Sequence, residues 1–353
     1  MPAEIVSRDD TYILNYCTKY LARDNSDPRH NFGQFSATDL RARISECWRY
    51  PLVDSFFDGR DQAASYAKNL VTFVYFDPRV AIPQSVAVIG SFANLYDPIP
   101  LRRIAETPYF VLSLAVPKGQ VHTYKYLVDG EAVLDPVNPQ QATIENGKSW
   151  SRFFTQLCTQ LVSFERWEAD LLERLTDHIL PFRTSDGQNF VRRFYDSLDR
   201  QSKETRFASA YRLDQSVGVV NYIDKVVARE ENHHLGDYKV CLKLVDRVLR
   251  QRNPYTEPSQ IPKPLYEELY NQMASNSVNG WDYGQYGSPR YFLQLLRRHT
   301  YTGAFSHPKY GGNVGALGWA YLEDTYRDDK GNTLFNWRQA TEAPLGANAD
   351  YRG

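Results

Sequence analysis

Residues 109–135 read YFVLSLAVPKGQVHTYKYLVDGEAVLD. Phe110, Leu112, Leu114 and Val116 share one face at a period of two, the spacing of a half-buried β-strand. A Pro117-x-Gly119 turn leads into a second run rich in β-branched and aromatic residues. Asp129-Gly130 joins that run to a third, and both central residues of a type I′ hairpin turn require positive φ. Upstream, NLVTFVYF (69–76) and SVAVIGSF (85–92) are of the same kind. Short strands at this spacing, separated by Gly and Pro, predict a small immunoglobulin-like β-sandwich over 69–155.

The period changes on both sides. Toward the N-terminus, SATDLRARISECW (36–48) offers Ser36 as an N-cap, with Leu40, Ile44 and Trp48 at spacings of four. Pro51 and Gly59 break the pattern, and residues 1–68 are expected to form a helical arm. After 155, Phe164, Trp167, Leu171, Leu175 and Ile179 trace one helical stripe, ended by Pro181. Tyr238, Cys241, Leu242, Val245, Val248 and Leu249 trace another. Ser288-Pro289 is an N-cap with proline at N1, opening RYFLQLLRRHT. The tail from Leu334 lacks periodicity. The expected class is α+β multidomain: a helical arm (1–68), a β-sandwich (69–155), and an all-α domain with a long irregular tail (156–353).

Composition narrows the function classes. The net charge of -1 gives no global field for nucleic acid or an anionic membrane. No stretch approaches the ~18–20 apolar residues of a membrane span. Cys17, Cys47, Cys158 and Cys241 are far apart and form no CxxC. The first thirty residues show neither an apolar signal core nor a twin arginine. Cytoplasmic residence is the direct expectation, with the periplasm open if a signal has been removed or is carried by another chain that travels with this one. Catalytic and cofactor motifs are missing: there is no P-loop, no GxGxxG after a strand, no GxSxG and no HExxH. His233 and His234 are adjacent in REENHH. On an α-helix such neighbours point about 100° apart, so the expectation is a solvated helix end and no metal site. His307, before Pro308, reads as a turn histidine.

The predicted strands resemble the glycogen-binding early-set module of branching enzymes, isoamylases and the β subunit of AMP-activated kinase. Gly90-x-Phe92, Pro117-x-Gly119, Tyr124-Lys125, Asp129-Gly130 and Asp135-Pro136 carry the likeness. The resemblance implies sugar contacts from two tryptophans, a lysine and an asparagine. Lys125 fits the lysine, but Leu95 and Ala132 stand at the tryptophan positions, and Ser149 or Trp150 at the asparagine. Tyr96 and Trp150 are the substitute stacking candidates. The resemblance therefore implies a retained fold with lost or altered sugar binding.

A second resemblance lies at 303–319, GAFSHPKYGGNVGALGW. This run is too aromatic for a flexible linker and too rich in glycine for a helix. With FLQLLRRHTYT before it, it resembles the signature of gluconate 2-dehydrogenase subunit 3, carried by Gly303, Phe305, Ser306, Pro308, Tyr310, Gly311, Gly312, Asn313, Gly318 and Trp319. LLERLTDHILP and VVNYIDKVV are similar to the family's earlier helices. The resemblance spans roughly 160–325. It implies an accessory subunit without catalytic residues or a cofactor of its own. Its partner would be an FAD-bearing dehydrogenase of the glucose-methanol-choline type, often with a cytochrome c subunit. Phe305, Pro308, Tyr310, Gly311, Gly312, Asn313 and Trp319 are then the partner-binding candidates, with positive φ expected at Gly311, Gly312 and Asn313. The alternative from the residues alone is that these aromatics close the domain's own core. Two rival functions remain: a carbohydrate-binding or targeting protein built on the sandwich, and an enzyme using the glycine loop.

Overall fold

Phe110, Leu112, Leu114 and Val116 do share a buried face, but the strand that carries them is covered on both sides. The computed structural model describes residues 4–22, 39–42, 44, 46–56, 67–95, 97–144, 147–180, 182, 184–200 and 218–333. One compact unit runs through Gln160, and a second begins at Leu161.

The first unit contains two antiparallel sheets. Its strands are β1 (Glu4–Ile5), β2 (Leu52–Ser55), β3 (Lys68–Tyr75), β4 (Val86–Gly90), β5 (Ile99–Pro100), β6 (Arg102–Arg103), β7 (Phe110–Pro117), β8 (Val121–Val128), β9 (Glu131–Val133), β10 (Gln141–Thr143) and β11 (Ser149–Phe154). One sheet has the order β1–β7–β3–β2, with β6 also on β7; the other has the order β10–β11–β8–β4–β5, with β9 also on β8. Val71, Phe73, Leu112 and Leu114 of the first sheet pack with Val88, Tyr124, Tyr126 and Phe153 of the second. The hairpin forms at Asp129-Gly130, with φ of 48° and 90° and Val128 opposite Glu131. Asp135 is a structural residue: it accepts from the Tyr124 hydroxyl (2.6 Å) and from the backbone N–H groups of Val137 and Asn138. Burial raises its pKa.

The N-terminal segment departs from the expected helical arm. It supplies β1 and β2 to the first sheet. Its helical turns at Asp10–Tyr12, Ile13–Cys17 and Lys19–Ala22 belong to the same unit. Ile13, Tyr16 and Cys17 pack with Leu52, Val74 and Val111 in a further apolar layer. Tyr16 donates to the buried Asp54 carboxylate (2.9 Å), and Tyr50 donates to the Cys17 carbonyl (2.8 Å). The single helix expected through Leu40, Ile44 and Trp48 is replaced by two 3₁₀ turns, Leu40–Ala42 and Cys47–Arg49. Glu46 between them has φ of 58°, which a right-handed helix does not accommodate. Ser36 and Gly59 lie outside the described residues. All four cysteines are buried and none forms a disulfide.

The second unit is helical: α1 (Arg166–Ile179), α2 (Ser185–Asp196), α3 (Val219–Val226), α4 (Leu235–Arg252), α5 (Lys263–Ala274), α6 (Pro289–Phe305) and α7 (Leu317–Thr325). The stripe read on α4 is buried throughout. Ser288 caps α6 by accepting from the Tyr291 N–H (3.2 Å). Trp167 is the exception on α1. The inward residues are Glu168, Leu171, Leu172 and Leu175, while Trp167 is 37% exposed and donates to the Glu165 carboxylate. Glu165 and Glu168 form a capping box, and Lys239 pairs with buried Glu168, so this helix start turns a charged side chain inward. Pro181 and the tail from Leu334 lie outside the described residues. Among the described residues no helix is long and apolar enough to cross a membrane.

One buried ring makes the first unit sensitive to acid. His122 is 2% exposed and stacks on Phe153 at 5.0 Å. Burial pushes its pKa down to about 4. The native state keeps it neutral, whereas the unfolded chain takes up a proton below about pH 6.5. Its contribution is therefore complete above that value and is lost progressively as the pH falls toward 4. Urea unfolding of wild type and His122→Phe at pH 7 and pH 5 tests this. Wild type is expected to lose about 2 kcal/mol more than the variant between the two pH values. Equal losses would refute the assignment.

Candidate functional site

The glycine-aromatic segment is built on the end of α6. Its backbone leaves the right-handed region four times: φ is 95° at Gly311, 44° at Asn313, 66° at Gly315 and 61° at Ala316. Gly312, expected to join them, has no positive φ. Its constraint is close approach: a Cβ there would lie 2.2 Å from the Gly303 carbonyl oxygen. Gly318 is tighter still, with a Cβ position 1.9 Å from the Ala304 oxygen. Gly303 faces Tyr222 of α3, where a Cβ would meet the ring at 2.9 Å. Three of these glycines thus let backbone lie against backbone or ring.

Asn313 locks the arrangement. It is fully buried; its Nδ2 donates to the Ser306 carbonyl (2.8 Å), and its Oδ1 accepts from the Gly318 N–H (2.8 Å). One side chain satisfies both a carbonyl past the end of α6 and an amide in the first turn of α7. Asn221 of α3 holds the loop from below by donating to the Gly311 carbonyl (2.8 Å). Pro308 opens a 3₁₀ turn over Pro308–Tyr310, capped by His307, whose Nδ1 accepts from the Lys309 N–H. His307 is thus the turn histidine read in the sequence, and burial lowers its pKa. Phe305 and Tyr310 are half-buried against the helical core, and the Trp319 indole N–H donates to the Phe305 carbonyl. The seven partner-binding candidates therefore come together in one self-supporting turn.

Two of the sandwich candidates, Lys125 and Trp150, are among the described residues, and they pack on each other. Trp150 is only 7% exposed, and the Lys125 ammonium sits 5.4 Å from its ring centroid. A pyranose needs an open aromatic face, which this ring does not offer. Leu95 and Ala132 bring no aromatic face, and Tyr96 lies outside the described residues.

The sequence reading missed a cluster at the α3–α4 junction. The REENHH segment is not α-helical where its histidines stand: Asn232–His234 form a 3₁₀ turn, and His234 is 8% exposed. The rings of His233 and His234 lie 4.0 Å apart, and ligand atoms of Glu231, His233 and His234 are all within 4.8 Å of one another. The solvated helix end is thus corrected to a half-buried cluster, because the angle between neighbours on an α-helix does not apply here. Asp237 accepts from His234 Nδ1 (2.7 Å), and His299 of α6 reaches Glu231 through Nε2 (2.8 Å) while its Nδ1 meets the Tyr238 hydroxyl (2.9 Å). Arg298 also pairs with Glu231. Burial alone would raise the Glu231 pKa; the hydrogen bond from His299 and the charges of His299, Arg298 and His234 outweigh it and hold the carboxyl below its ordinary value. Burial, then the neighbouring His234, lowers the pKa of His233. The legible signal was the pairing of acids with histidines in REENHH; the contribution of His299 was not legible.

The helical unit has a recognised sequence pattern. Residues 167–323 match the family model of gluconate 2-dehydrogenase subunit 3. That segment runs from the first turn of α1 into α7 and contains both the glycine-aromatic turn and the histidine cluster. No curated protein matches the chain. Among solved structures, the enterochelin esterase of Shigella flexneri is 17% identical, with 27% of this chain and 32% of that chain covered, at a TM-score of 0.24. The ferric enterobactin esterase of Salmonella typhimurium is likewise 17% identical, covering 33% and 37%, at 0.26. This chain thus spans about a third of the length of those structures, and scores at this level assign neither fold nor activity.

Two glycine substitutions test the packing of the family segment. Gly318→Ala drives a Cβ into a backbone carbonyl and is expected to cost about 2–3 kcal/mol or more. Gly236→Ala, in the first turn of α4 with open space around it, is expected to be neutral or to stabilise by up to ~1 kcal/mol. Chemical denaturation followed by helical circular dichroism reads both. Equal effects would show that the turn is not closely packed.

Proposed function

We propose that this chain is a non-catalytic accessory subunit of an FAD-dependent sugar or polyol dehydrogenase of the glucose-methanol-choline type, assisting assembly or stability of the flavoprotein subunit. The observation that carries this reading is the match of residues 167–323 to gluconate 2-dehydrogenase subunit 3. The flavin, and the hydride chemistry that goes with it, belong to the partner. In the family's pattern such a complex often includes a cytochrome c subunit. The docking face would be the turn at Phe305, Pro308, Tyr310 and Trp319, which its own hydrogen bonds hold in one shape, so little ordering entropy is lost on association. Tyr301 extends this face. It is 44% exposed on α6, one helical turn before Phe305. Aromatic side chains held in place and partly open to solvent are the usual anchors of interface centres.

The test is coexpression with a glucose-methanol-choline type flavoprotein dehydrogenase taken from the same genome. The two chains are expected to copurify, with the flavin absorbance on the partner and the isolated chain colourless. Tyr301→Ala is expected to leave the melting temperature of the isolated chain unchanged while weakening the complex by about 2 kcal/mol. Trp319→Ala is expected to lower the melting temperature as well, because the indole closes onto Phe305. A flavin that copurifies stoichiometrically with the chain alone, or a Tyr301→Ala variant that holds the partner as tightly as wild type, would overturn the proposal.

A further inference from the structure

Three electron-pair donors converge at the α3–α4 junction. The carboxylate of Glu231 and the rings of His233 and His234 offer ligand atoms within 4.8 Å of one another. His234 is oriented for ligation. Its Nδ1 meets the Asp237 carboxylate at 2.7 Å, and only a ring nitrogen carrying hydrogen satisfies that contact. The other nitrogen, Nε2, faces Glu231 Oε2 at 3.8 Å. With the proton on Nδ1, Nε2 of His234 faces the carboxylate oxygen either as an N–H in the imidazolium or as a lone pair in the neutral ring, and a cation between them takes the place of that second proton. Asp237 is itself held, accepting from the Tyr286 hydroxyl (3.1 Å). A carboxylate that fixes the far nitrogen of a histidine is the usual support of a metal-binding imidazole.

We propose that Glu231, His233 and His234 bind a borderline divalent cation of the zinc type, with Asp237 as the positioning residue for His234. Two imidazoles and one carboxylate suit such an ion better than magnesium or calcium, which prefer all-oxygen shells. Tetrahedral ligation at about 2.0–2.1 Å places ligand atoms roughly 3.4 Å apart, so the three side chains must close by an ångström or so. The Glu231–His234 separation is already near that distance. The fourth position is left to water. The rival for the carboxylate is Arg298, which contacts Glu231 Oε2 and whose side chain is 54% exposed. Its guanidinium must swing outward as the ion enters. His299, buried beneath, keeps its bond to the same oxygen and holds the carboxylate in place.

The experiment uses the untagged full-length chain, stripped with a chelator and titrated with Zn²⁺ by calorimetry and with Co²⁺ by visible absorption. One equivalent should bind, with the absorption of a four-coordinate Co²⁺ centre. His233→Ala and His234→Ala should each weaken binding at least a hundredfold. Asp237→Asn should weaken it by about 10–100-fold. Arg298→Ala should tighten it, a result that a merely structural cluster does not predict. Glu231→Gln, close to isosteric, should lose the ion; its melting temperature in chelator serves as the check on folding. No Co²⁺ band in wild type, or wild-type affinity in both histidine variants, would overturn the proposal.

Discussion

The helical unit hangs on a carboxylate that is closed off from the protein surface. Asp224 is fully buried in α3, where it accepts from the backbone N–H groups of Val162, Ser163 and Phe164 and from the Lys225 ammonium at 2.8 Å. An isolated charge in that position would cost several kcal/mol, and these donors offset the loss of hydration. The result is that the chain entering α1 is tied to the middle of α3. Every residue of α3 is buried, three of them polar or charged, and each of those three has a directed role. Asp224 fixes the entry to α1, Lys225 neutralises it, and Asn221 holds the glycine-aromatic turn. With α3 fixed, Tyr222 becomes the surface against which Gly303 and Gly312 are laid.

This dependence changes the meaning of the glycine-rich signature. Freedom to adopt positive φ explains Gly311 and Gly315, while absence of a side chain explains Gly303, Gly312 and Gly318. The two needs look alike in sequence. Only the second is specific to a tertiary arrangement, since it names the carbonyls and the ring that occupy the space. The run is therefore first a record of how two helix ends and a central helix meet. Its aromatic side chains stand on a surface that the chain has already assembled for itself.

What the sequence made legible were features settled within a few residues. The Asp129-Gly130 hairpin, the Ser288 cap and the α4 stripe all depend on local geometry, and all are present. Features that depend on distant partners were not legible. Strands of two and four residues, such as β1 and β2, have no period of their own and exist through pairing with β7 and β3. Trp167 fitted the helical spacing, yet the capping glutamates determine which side of that helix start faces inward. The histidine cluster required two things hidden from a linear reading: a local change from α to 3₁₀ geometry, and His299 arriving from a helix more than sixty residues downstream.

The covering of β7 has a consequence for how the chain can be handled. Its outer edge is eight residues long and is shielded piecemeal, with β6 opposite Phe110 and Val111 and β1 opposite Leu114 and Ala115. Val6 adds one further bond to the Ser113 carbonyl. Shielding the second half of the edge thus falls to three residues at the very start of the described chain. Trimming them would bare a row of amides and carbonyls on a largely apolar strand, a template onto which another molecule's strand can add. An N-terminal truncation that looks harmless by length would then reveal itself as self-association, with the interior of the fold untouched.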